Sequence, residues 1–160
     1  MDRFLGNIEA KTDAKGRVFV PAPFRKALLA ACDAGGSGES PEECSVVLRR
    51  DVYQPCLVLY PMNVWNEELD RLTSRLSRYN PEHRMLLRQF MAEAVQVQLD
   101  ANGRILIPRR LLQSAGISEA VRFLGMNETI EIWGAEQSTE PFMQPDEMMS
   151  RMAEILGGNL

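Results

Sequence analysis

Histidine is nearly missing from this 160-residue chain, where His83 stands alone, and cysteine is scarce, with only Cys32, Cys44 and Cys56. Zinc centres are built from close pairs such as Cys-x-x-Cys completed by further His or Cys, and no such pair is present, so no metal site is expected. The cysteines read as free or buried thiols, and His83 as a solvated residue in a first helical turn. Hydrolytic chemistry would have to rest on carboxylates alone, because no nucleophile–base–orienter set can be assembled. Gly35-Gly36-Ser37-Gly38 lacks the Gly-Lys-Ser/Thr ending of a phosphate loop. An enzyme is therefore not expected, and no cofactor or small-molecule ligand is evident. No run approaches the ~18 apolar residues of a membrane span. The stretch Met1–Asn7 has no apolar core of the signal-peptide kind, so a cytoplasmic location is expected.

Basic charge is in deficit too, with a formal net charge of −4. The deficit is uneven. Residues 1–30 hold Arg3, Lys11, Lys15, Arg17, Arg25 and Lys26 against Asp2, Glu9 and Asp13, a surplus of +3 that leaves −7 for the remainder. A polyanion responds to the patch it meets and not to the total, so nucleic acid is permitted.

What the chain does have is a repeat. Asp13-Ala14-Lys15-Gly16-Arg17-Val18-Phe19-Val20-Pro21 aligns without gaps onto Asp100-Ala101-Asn102-Gly103-Arg104-Ile105-Leu106-Ile107-Pro108. Asp, Ala, Gly, Arg and Pro coincide. Each proline precedes a short helical stretch, Pro23 to about Cys32 and Arg109 to Ala115. Leu57–Tyr60 then resembles Ile130–Trp133, and the first copy carries a surplus at the Gly/Ser/Glu-rich segment 34–43. Each copy thus reads strand, tight turn, strand, short helix and hairpin, an α+β pattern. The glycines supply the positive φ of a tight turn. Between the copies, Val64/Trp65, Leu69, Leu72, Leu76 and Tyr79 predict one helix. Asn80-Pro81 predicts the start of another, with Met85, Leu86, Phe90 and Met91 as its apolar stripe. A last amphipathic stretch from Asp146 to Leu156 carries methionines suited to core or subunit packing. Modules are expected at 7–63 and 94–137, with linking helices at 64–93 and a partly helical tail at 138–160.

An Asp–Arg pair across a turn can simply pin the register of a hairpin. Keeping arginine in both copies is more than a turn demands. A β-ribbon fits the DNA major groove, and arginine reaches guanine O6 and N7 in bidentate fashion, best when a carboxylate restrains its rotamer. Lys15 suits phosphate, whereas Asn102 can hydrogen-bond a base or a phosphate. Lys11 and Arg109 are further candidate contacts. Arg49-Arg50 reads as the exposed end of a strand.

With both motifs, Phe24-Arg25 after Pro21, and the helices between the copies, the chain resembles the MraZ family over about residues 4–135. The resemblance implies tandem AbrB/SpoVT modules in a small swapped-hairpin, double-psi-like β-barrel. It also implies a cytoplasmic, nucleoid-associated regulator of the bacterial division and cell-wall gene cluster. Such a regulator, repressing transcription in the simplest case, acts as a ring-shaped homo-oligomer on repeated sites in double-stranded DNA. By position, Arg17 and Arg104 become the main DNA contacts, Asp13 and Asp100 their supports, and Lys15 and Asn102 tip contacts. An antitoxin-like or scaffolding protein built on the same module is the alternative.

Overall fold

The apolar and alternating runs become strands and helices in a computed structural model that describes residues 3–34, 44–136 and 142–157. In chain order these are β1 (Asn7–Lys11), β2 (Arg17–Phe19), α1 (Ala22–Ala34), β3 (Ser45–Arg50), β4 (Leu57–Pro61), α2 (Met62–Thr73) and α3 (Pro81–Ala92). There follow β5 (Ala94–Gln98), β6 (Arg104–Leu106), α4 (Arg109–Ser114), β7 (Ala120–Met126), β8 (Thr129–Gly134) and α5 (Pro145–Ile155). The series β1-β2-α1-β3-β4 recurs as β5-β6-α4-β7-β8, as the repeat predicts.

The copies do not fold side by side. One antiparallel sheet runs β1-β7-β8-β4-β3-β5, and β2 pairs with β6 in a separate ribbon. Exchanging the copies leaves that order unchanged when read from the other end. The opening strand of each copy therefore pairs with the other copy, Ile8 opposite Phe123 and Val97 opposite Val46. Isolated hairpins are marginal in water, and here every hairpin is completed by its partner copy. The core is shared accordingly. Val18, Val20, Phe24, Leu28 and Leu48 pack with Ile105, Ile107, Phe123 and Ile132, all buried.

Strands β3 and β4 are buried on both faces, since side chains alternate across a sheet. Val47, Val58 and Tyr60 form a second cluster under α2 and α3. Trp65 seals it, edge-on to Tyr60 at 5.3 Å and stacked on Phe90 at 5.5 Å. Arg49 belongs to this cluster, which corrects its reading as an exposed strand end. It is only 4% exposed, with its guanidinium 4.0 Å above the Phe90 ring. It donates to the carbonyl of Arg50 at 2.7 Å and to that of Phe90 at 3.4 Å, and it pairs with Glu93 at 3.4 Å.

Helix α2 stops earlier than its apolar spacing suggests. The Thr73 hydroxyl donates back to the carbonyl of Leu69 at 2.9 Å and Ser74 to that of Arg71 at 2.8 Å, bonds that compete with helix propagation. Leu76 and Tyr79 thus lie beyond the helix, and Tyr79 is exposed. Asn80 caps α3 as predicted, its side-chain oxygen accepting from the amides of Glu82 and His83. Of the expected stripe on α3 only Phe90 packs inward; Met85, Leu86 and Met91 are exposed. The methionine face of α5 is exposed as well, so it joins neither hydrophobic cluster among the described residues.

The cysteine reading also needs correction. Cys32 and Cys44 form a disulfide with Cα atoms 5.7 Å apart, while Cys56 remains free and buried. A spacing of twelve residues says nothing about proximity; here the end of α1 and the approach to β3 converge. Of the predicted insertion only Ala34, closing α1, and none of 35–43, falls among the described residues. Closing a loop of this size removes unfolded-chain entropy equivalent to about 3 kcal/mol. For a chain of this length that corresponds to a Tm lower by about 6–12 °C in strong reductant. Melting with and without reductant checks this; identical curves would remove the bridge from the stability of the fold.

Candidate nucleic-acid interface

Both repeated turns are built by their aspartates. Asp13 Oδ1 accepts from the backbone amides of Lys15 and Arg17, each at 2.9 Å, and Oδ2 accepts from Arg17 Nε at 2.8 Å. Asp100 repeats the arrangement with Asn102 at 2.9 Å, Arg104 at 2.8 Å and Arg104 Nε at 3.0 Å. The main chain closes the same loop twice, Asp13 with Arg17 and Asp100 with Arg104, both at 2.8 Å. One carboxylate oxygen therefore shapes the turn, and the other holds the arginine.

Nε is the only guanidinium nitrogen spent in either clamp. Among the described residues, Nη1 and Nη2 of Arg17 and Arg104 have no protein partner, so the terminal edge that reads a guanine or a phosphate is left open. Both aspartates are held below the usual carboxylate range, first by the amide of the clamped arginine and further by its guanidinium, against an opposing desolvation. A depressed carboxylate keeps its contribution above its unfolded value and loses it as pH falls through the lower folded one. The clamps are accordingly intact at neutral pH and open only in acid below the ordinary aspartate range.

The two arginines share one surface. In the β2–β6 ribbon Arg17 pairs with Leu106, Val18 with Ile105 and Phe19 with Arg104. Alternation sends Val18 and Ile105 into the core, both 1% exposed, and turns the other four side chains outward. Phe19 and Leu106, at 55% and 51%, are exposed between the arginines. The Arg104 guanidinium lies 5.6 Å from the Phe19 ring centroid, within cation–π range. A period of two along each strand already places the middle residue of Val-Phe-Val and of Ile-Leu-Ile outside.

Each turn is braced by the opposite copy. Ile107 donates to the carbonyl of Gly16 at 2.9 Å, and Val20 to that of Gly103 at 3.0 Å. Both glycines have positive φ, +90° and +83°. A Cβ on Gly16 would stand 2.7 Å from the Ile107 carbonyl oxygen, whereas on Gly103 it would meet the flexible Arg25 side chain at 2.6 Å. Arg25, absent from the expected contacts, thus lies beside the second turn, in a recess of about 200 Å³ lined by Asp100, Ala101 and Asn102. Tip one owns Lys15; tip two has Asn102 but gains a cation from α1 of the other copy.

Lys15 and Asn102 sit exposed at the two tips. Lys11 ends β1 on the large sheet, opposite Ala120, and Arg109 opens α4; both are exposed and neither joins the clamped network. Sequence reasoning also passed over a second basic region. Residues 71–91 hold Arg71, Arg75, Arg78, Arg84 and Arg88 against Glu82 alone. Counting charge in one block from residue 31 onward hid it.

The family model described as "MraZ protein, putative antitoxin-like" matches residues 3–89 and 90–152. Transcriptional regulator MraZ of Phocaeicola vulgatus is 51% identical over 157 residues, covering 98% of this chain and 96% of that one. The protein of the same name from Bacteroides thetaiotaomicron is 49% identical over 156 residues, 98% and 94% of the two chains. That from Christiangramia forsetii is 32% identical over 159 residues, 99% and 96% of the two.

Proposed function

The chain belongs to the MraZ family, and from that premise we propose that it is a sequence-specific DNA-binding transcriptional regulator. The observation that carries the reading is the pair of aspartate-clamped arginines on one outward ribbon, each with its terminal guanidinium edge unspent. A clamped arginine has already lost most of the rotamer freedom that binding would otherwise cost. The ribbon enters the major groove, where Arg17 and Arg104 take guanine edges and Phe19 and Leu106 meet thymine methyls. Lys15, Asn102 and Arg25 hold the flanking phosphates at the tips, with Lys11 and Arg109 as outer contacts.

The modules are taken as 7–63 and 94–137, interleaved as a swapped-hairpin barrel and flanked by helices 64–93 and a tail 138–160. The targets are repeated sites upstream of the bacterial division and cell-wall gene cluster, and the protein acts there as a repressor in the cytoplasm, associated with the nucleoid. One chain brings few cations, and such a set alone gives affinities of only about 10⁻⁴–10⁻⁶ M at physiological salt. A ring of copies raises effective concentration, and avidity gains reach about 10²–10⁴ on matching repeated sites.

Mobility shift with the upstream region of the host's own division cluster tests the reading, against unrelated DNA of equal length. Saturable binding to the first at concentrations that leave the second free is expected. The salt dependence should be steep as well, since log K falls with log[salt] at about −0.9 per phosphate neutralised. A flat response would remove phosphate contacts from the proposal.

A further inference from the structure

Helix α5 (Pro145–Ile155) is amphipathic, yet among the described residues none of its side chains is fully buried. Met148, Met149 and Met152 are 45%, 51% and 39% exposed, and Ile155 is 82% exposed. The polar side carries Asp146, Glu147 and Glu154 against Arg151 alone. Just ahead of it, Phe142 packs on Trp133 with ring centroids 4.8 Å apart. An exposed methionine stripe of this kind is suited to an adaptable contact.

The complementary surface lies on the α2–α3 hairpin. There a cleft of about 500 Å³ has Leu76, Leu87 and Met91 as apolar walls and Arg78, Arg84 and Arg88 among its lining residues, with no carboxylate in the lining. None of these three arginines has an ion pair or side-chain hydrogen bond among the described residues. Arg84 and Arg88 stand four residues apart on one helix face, a like-charge pair that disfavours the helix until an anion meets it. His83 is not free to take that role with both nitrogens, since its Nδ1 accepts from the Ser77 amide at 2.9 Å.

We propose that α5 of one copy docks in the α2–α3 cleft of the next, methionines on the apolar walls and Glu147 and Glu154 against Arg84 and Arg88. The two surfaces differ, so the contact is head-to-tail, and head-to-tail contacts build rings when the rotation closes. This interface rests on the homo-oligomer of the proposed function and specifies how it is held. Exposed ion pairs are individually weak, so the methionines supply the affinity while the charges set the register.

Charge exchange on the full-length protein tests it, with mass read by light scattering after size exclusion. Wild type is expected to be oligomeric, while E147K/E154K and R84E/R88E each fall to smaller species with unchanged circular dichroism. Carrying all four changes in one chain restores the wild-type mass. Mixing the two defective proteins restores a larger species, because each supplies the surface that the other has lost. If both variants keep the wild-type mass, or the four-fold variant stays dissociated, this interface is wrong while the oligomer stands. Failure of the mixture while the four-fold variant recovers would place α5 in its own chain's cleft and overturn docking between copies. A monomeric wild type would sink the ring itself.

Discussion

Replacing Arg17 by alanine is expected to weaken operator binding by about 5- to 150-fold, as the loss of one bidentate base contact of about 1–3 kcal/mol requires. R104A should cost a similar amount, and the double variant should bind specific and unrelated DNA alike. Stability should hardly move. The Arg17–Asp13 pair is more than a third exposed, and exposed pairs of this kind add little to stability. Asp13 Oδ1 would still bond the amides of residues 15 and 17, so the turn survives without the guanidinium. D13N separates the roles further: the amide oxygen can still shape the turn, but the charged clamp on Nε is lost, and an intermediate loss of affinity is expected. Titration by fluorescence anisotropy, with melting curves on the same samples, checks both halves. Equal affinity for wild type and R17A would remove this arginine from the interface.

Gly16→Ala is expected to destabilise the fold much more than Gly103→Ala, although both glycines occupy equivalent turns. Both substitutions carry the cost of a side chain at positive φ, about 1–3 kcal/mol. They differ in what the new methyl meets. At Gly16 it strikes the Ile107 carbonyl oxygen at 2.7 Å, a backbone atom of the residue whose amide makes the cross-brace between copies. At Gly103 it strikes Arg25 Cδ at 2.6 Å, and that side chain can swing aside at the cost of its 3.2 Å hydrogen bond to the Val20 carbonyl. G16A should therefore lose about 3 kcal/mol or more, a fall in Tm of about 6–12 °C, and G103A about half as much. G103A should in exchange weaken DNA binding through the displaced Arg25. Equal melting points would mean that what the added methyl meets does not decide the cost.

The repeat was legible because its identities are dense and in register, and with it the secondary structure of each copy. The interleaving follows less directly: nothing local in Asn7–Lys11 names Ala120–Leu124 as its partner, since pairing between distant strands is decided by the whole core. The clamped arginines were visible as residue types, but the division of labour between the two carboxylate oxygens was not. Phe19 and Leu106 were hidden by an apolar neighbourhood that masks alternation over so short a strand. Cys32 and Cys44 were missed because α1 and β3 bring together ends whose spacing carries no geometric signal. Arg49 was misplaced for a related reason: a cation beside Phe90 and Glu93 is buried comfortably, and neither neighbour is near it in sequence.

The arginine edges are tested most directly by removing their partners on the DNA and leaving the protein untouched. Substituting 7-deazaguanine for guanine in the repeated sites deletes the N7 acceptor and little else. Wild-type affinity is expected to fall, by no more than it does for the double variant R17A/R104A, and the substituted sites should cost that double variant little further affinity. Affinity that is undiminished, or losses that simply add, would contradict guanine reading by the clamped arginines.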